Sequence, residues 1–138
     1  MQRDTVLRWI DTISALIARI LRGDRTASLD LARHQLDEAR HMLLGPVEAL
    51  IPHLDPQRAA DLLADPHRIY GYAQLLALES GLARLGDGIW RPGAERAVAL
   101  ARLAAARLDP PAAEWLRWAD AAEEDLRAED PGSPPAPA

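Results

Sequence analysis

Three Asp-Pro pairs, Asp55-Pro56, Asp65-Pro66 and Asp109-Pro110, each stand ahead of an apolar periodic run. An aspartate side chain accepts hydrogen bonds from the free amides of a first helical turn. A proline at the next position loses nothing by lacking an N–H, and its φ is already set. Each pair therefore predicts a helix start. No stretch shows the apolar–polar alternation of a strand, and Ala, Leu, Arg and Glu dominate, so the chain reads as all-α with about six helices.

Periodicity places the first helix at about 4–22. Val6, Ile10, Ile13, Ile17 and Ile20 step by four and three, Leu7 and Leu21 widen that seam on one side, and Trp9 and Leu16 widen it on the other. The arc covers about half the circumference, more than the single stripe of a surface helix. It implies burial between two helices of this chain or against a second chain. A second helix at about 27–44 ends at Gly45, followed by Pro46. A short third helix spans about 56–64. The fourth, at about 66–85, is apolar almost all round and is expected at the centre. The segment GDGIWRPG breaks the chain. The fifth helix, at about 93–108, carries one face of alanines (Ala94, Ala97, Ala101, Ala104, Ala105), and the sixth covers about 110–128.

From about 67 to 111 this arrangement resembles a tetratricopeptide (TPR) helical hairpin. An apolar first helix and a glycine break are followed by a small-residue helix with alanines near four-residue steps, closing on Leu108-Asp109-Pro110. The break is longer than the family's tight turn, and no Trp-Leu-Gly signature opens the first helix. The layout also resembles a group of small, uncharacterised bacterial all-helical proteins, through the Ile/Leu-rich first helix, a second helix ending in LLG and a short acid-capped helix. A TPR-like array implies an antiparallel stack of helix pairs and protein–protein contact in general terms, with no activity.

At 138 residues the chain fits one domain, taken as 1–130. Residues 131–138, PGSPPAPA, carry no charge and no large apolar side chain, and read as a disordered tail. The absence of cysteine excludes disulfides and thiol chemistry. No apolar run approaches the roughly 18 residues of a membrane span, and the first residues lack a signal peptide's pattern, so a cytoplasmic location is expected. All sixteen basic residues are Arg, and Lys, Asn and Phe are absent, a bias that a GC-rich bacterial genome explains. The net charge of −5 argues against nucleic-acid binding. That charge is uneven: residues 1–25 hold five Arg against three Asp, while 114–130 hold two Arg against seven acids.

The stretch RHQLDEARH (33–41) has the composition of a metal site. His34, Glu38 and His41 share a polar helix face with Asp30 and Asp37, opposite Leu36 and Leu43. One turn of such residues supplies metal ligands only when a facing helix adds more. The simpler reading is a solvated face with i,i+3 and i,i+4 pairs. Glu79 falls on the apolar side of the fourth helix, beside Tyr72, Leu75, Leu76 and Leu82. Stripped of water, it must be paired or protonated. The expected partners are Arg96 or Arg102 of the fifth helix, or the Tyr72 hydroxyl. A ligand-groove wall or a catalytic acid are the alternatives. Trp118 falls about 200° from Leu116, away from the presumed inner face, and Trp90 lies in the glycine–proline break. Both read as interface anchors, with Trp9 a third candidate. No phosphate loop, nucleophile elbow or other catalytic set is present, and no cofactor is implied. The expectation is a non-enzymatic interaction module, dimeric through its first or sixth helix.

Overall fold

A computed structural model describes residues 3–23, 28–86 and 88–128, with the side chains of residues 3–7, 9 and 21 outside that description. The Trp9 side chain and the 131–138 tail therefore lie outside the described residues. The described residues form six α-helices: α1 (Arg3–Leu21), α2 (Leu29–Leu44), α3 (Pro56–Leu63), α4 (Pro66–Leu85), α5 (Arg91–Ala106) and α6 (Ala113–Ala128). Single 3-10 turns at Gly45–Val47 and Ile51–His53 bridge α2 to α3. No strand occurs among the described residues.

Two of the three Asp-Pro pairs do what their chemistry predicts. Asp55 Oδ1 accepts from the Arg58 amide at 2.8 Å, and Asp65 Oδ1 accepts from the His67 amide at 2.9 Å. The third does not open its helix, since α6 begins at Ala113 rather than 110. Pro110 is followed by Pro111, and a residue before proline is driven out of the α region. The amide of Leu116 reaches the carbonyl of Ala112 instead. Helix α2 starts behind Ser28, whose hydroxyl accepts from the Leu31 amide at 3.2 Å, and stops at Gly45 with φ +55°. Between α3 and α4 the chain turns through Ala64 at φ +66° and ψ −58°. The amide of Asp65 bonds the carbonyl of Leu63 at 2.8 Å across it, a strained γ-turn in a residue with a Cβ.

Helix α4 is central, packed against α1, α2, α3 and α5, with Ile69, Tyr72, Ala73 and Leu75 buried. Helix α1 turns Ile10, Ile13, Leu16 and Ile17 into the core. Helices α2 and α4 run antiparallel, with Arg40 facing Glu79 and the carbonyls of Leu43 and Leu44 facing Arg68. The alanine face of α5 (Ala97, Ala101, Ala104, Ala105) is fully buried and lets α4 and α6 come close. At Gly93 the approach is so tight that a Cβ would lie 2.7 Å from Ser80 Oγ.

Arginine does structural work throughout. Arg68 donates to the carbonyls of Leu43 and Leu44, both at 2.7 Å, at the end of α2. Arg96 reaches from α5 to the carbonyls of Leu54 (2.6 Å) and Ile51 (2.7 Å). Arg107 donates to Ala60 O of α3, and Arg91 to Leu126 O of α6. The last carbonyls of a helix lack partners within it and carry the negative end of its dipole. A planar fork with several fixed donors suits such clusters better than an ammonium.

Candidate functional site

Glu79 projects from α4 toward α2, and its partner is Arg40. Arg40 Nε lies 2.8 Å from Glu79 Oε1, and the Nη2 group bonds the same oxygen. The sequence points instead to Arg96 or Arg102, or to the Tyr72 hydroxyl. Arg96 is instead committed to the carbonyls of Leu54 and Ile51, and Arg102 to Asp120 (3.0 Å) and Glu123 of α6. The signal for Arg40 was present in the sequence: it lies only about 40° round α2 from Leu36, on the core side. Burial raises the Glu79 pKa above the ordinary carboxylate value, and the Arg40 hydrogen bond and charge offset only part of that. Burial also opposes the Arg40 charge, but Glu79 outweighs it and raises the guanidinium pKa. Tyr72 lies within the same electrostatic neighbourhood, its pKa raised by burial and opposed by Arg96. Glu79 and Arg40 line a shallow groove with Arg33, Asp37 and Leu82.

The histidine face of α2 is split between two partners. His34 Nε2 contacts Glu38 Oε1 at 2.8 Å, whereas His41 Nδ1 turns to Glu48 Oε2 at 2.8 Å, beyond the helix end. All three of His34, Glu38 and His41 are exposed. Among the described residues no three His, Asp or Glu side chains converge as a metal site.

Trp118 is half-buried, contrary to an outward position. Its ring meets Tyr70 edge-on with centroids 5.8 Å apart, while Trp115 stacks on Tyr70 at 4.4 Å and takes His67 edge-on at 5.1 Å. The inner face of α6 is centred on Trp115, with Ala119 and Leu126 buried. Trp118 lies about 60° from Trp115 on that wheel, and Ala119, Ala122 and Leu126 lie closer still. Burial, with a contribution from the charge of Glu114, pushes the Tyr70 pKa up to about 12. These aromatics bind α6 to the first half of α4.

Trp90 is placed differently. After α4, the amides of Gly86 and Gly88 both return to the carbonyl of Ala83, at 3.2 and 2.7 Å. The link therefore folds back over the last turn of α4. Ile89 faces outward with 90% of its surface exposed, and Leu85, the last residue of α4, is 42% exposed. The Trp90 ring turns inward beneath the Arg84 guanidinium, whose carbon stands 4.7 Å from the ring centroid. Trp90 forms one wall of a groove between α4, α5 and α6, floored by Ala77, Gly81, Ala94, Ala97 and Ala122. Arg84 and Asp125 border it, and Leu126 closes one side. The small floor side chains leave room for an inserted apolar group, and the two bordering charges are of opposite sign.

No protein-family model matches the chain, and no curated protein or solved structure matches it. No helix among the described residues is long and apolar enough to cross a membrane.

Proposed function

We propose that this chain is a non-enzymatic protein–protein interaction module of TPR-like build, and that it pairs with a second copy through the far end of the α4–α5 hairpin. The observation that carries this reading is the exposure of Ile89, next in sequence to the groove-lining Trp90, together with that of Leu85 at the end of α4. Full burial of an isoleucine is worth roughly 1.5–3 kcal/mol over exposure, so a 90% exposed one beside an open groove is an unused source of binding energy. Tryptophan is enriched among the residues that anchor interfaces. The contact is sited at the hairpin end because Ile10, Ile13, Leu16 and Ile17 of α1 and Ala119 and Leu126 of α6 are already buried within the chain. Light scattering over a dilution series tests the proposal. Wild type should run as a dimer at high concentration and dissociate on dilution, and Ile89→Glu should be monomeric throughout. A wild-type monomer at every concentration would refute it.

A second reading is kept by the groove between α2 and α4, where Glu79 and Arg40 offer both charges to a small ligand. On that reading Glu79→Gln abolishes ligand binding and leaves the fold intact.

A further inference from the structure

We propose that the groove between α2 and α4 is a binding site for a small linear zwitterion, an ω-amino carboxylate whose ammonium meets Glu79 and whose carboxylate meets Arg33. The inference rests on the second reading above and adds the chemical class of the ligand. It is independent of self-association at the hairpin end.

Helices α2 and α4 run antiparallel with Arg40 facing Glu79. Seven residues back along α2 therefore stand opposite seven residues forward along α4, which sets Arg33 against Gly86. The side chain is found there: Arg33 Nη2 is 3.7 Å from the point a Gly86 Cβ would occupy. Seven residues of helix cover about 10 Å, so Glu79 and Arg33 mark the two ends of the groove. Between them the wall includes Leu36, Leu82 and Ala83, which carry no charge.

The two ends differ in sign. At the first, Glu79 and Asp37 share one cation, Arg40, at 2.8 and 3.4 Å, so one negative charge is left over. Both Arg40 donors go to Glu79 Oε1, and Oε2 accepts no hydrogen bond among the described residues. The Glu79 side chain keeps only 26% of its exposure, so a new donor at Oε2 replaces hydration that burial has removed. At the second end Arg33 is exposed and makes no hydrogen bond or ion pair among the described residues. Its planar fork suits a carboxylate through two parallel hydrogen bonds. An ammonium, a short hydrocarbon chain and a carboxylate match the groove in that order. The same chain with a single charge meets one end only.

The probe is 6-aminohexanoate, whose charged groups stand roughly 7 Å apart when extended, within the span of the groove. Hexanoate and hexylamine are the single-charge controls. Titrated into the full, isotope-labelled chain at pH 7, the probe should shift the amide resonances of residues 33–40 and 79–86, saturating with a Kd of the order of a millimolar. Each control should bind about tenfold more weakly. Arg33→Gln should weaken 6-aminohexanoate about tenfold and leave hexylamine unchanged, and Glu79→Gln should weaken it equally and leave hexanoate unchanged. Arg33 stands outside the core, so its variant keeps the fold whatever Glu79→Gln does. A control that binds as tightly as the zwitterion would overturn the proposal and leave the groove a site for one sign of charge. Shifts that never saturate, or that survive both substitutions, would remove the site and the second reading together.

Discussion

Replacing Arg40 with Met should harm the fold far more than replacing Glu79 with Gln, although the two side chains make one pair. The Arg40 side chain retains 29% of its surface exposure and Glu79 26%. Removing the cation strands a carboxylate whose burial already raises its pKa above the ordinary value. Removing one partner of a fully buried pair costs about 3–5 kcal/mol, and the remaining exposure here reduces that to about 2 kcal/mol. In a domain of this size such a loss lowers Tm by roughly 6 °C. Glu79→Gln removes the charge that burial penalises and keeps an oxygen that accepts from Arg40, so its cost should be within about 1 kcal/mol of zero. The double variant should be at least as stable as Arg40→Met alone, because no carboxylate is left unpaired. Urea unfolding at pH 7, followed by far-ultraviolet circular dichroism, measures all four corners of the cycle. A Glu79→Gln loss as large as that of Arg40→Met would refute the reasoning, since the attraction would then exceed the cost of burial.

Further predictions follow from the same geometry. Because the folded Glu79 pKa lies above its unfolded value, its contribution is full below the unfolded value and is lost as pH rises through the folded one. The stability of Glu79→Gln relative to wild type should therefore improve as pH rises from about 4 to 7, read from unfolding midpoints across pH. Asp61 and Glu123 have the opposite sign: hydrogen bonds from Arg107 and Arg102 lower their pKa values, so their pairs support the fold above the ordinary carboxylate range and fail below about pH 4. Ala64→Gly should raise stability by about 1 kcal/mol in urea unfolding, since the strain of a positive φ in alanine exceeds the added entropy of glycine. Gly93→Ala should cost about 1–2 kcal/mol through its collision with Ser80 Oγ, and Ser80→Ala in the same chain should recover most of that.

The helices were legible in the sequence because local chemistry sets them. Asp55 and Asp65 cap, Gly45 stops α2, and the all-round apolar pattern of α4 marks it as central. What escaped was set between elements. The partner of Glu79 came from α2 because the fifth helix's arginines were already engaged, Arg96 with loop carbonyls and Arg102 with α6. The outward position of Trp118 was measured from Leu116, which stands at the edge of the inner face of α6, whereas the Tyr70–Trp115 stack centres that face on Trp115. Sequence alone marked Trp90 as an anchor without its groove, since the floor is built from alanines and glycine on three helices that only the fold brings together.

Hydrogen exchange of the full chain at two concentrations measures the proposed contact directly. The amides of residues 85–94 should exchange more slowly in the concentrated sample, and the outer faces of α1 and α6 should not change. Added protection on α1 or on residues 113–121 of α6, or none anywhere, would contradict an interface at the α4–α5 end.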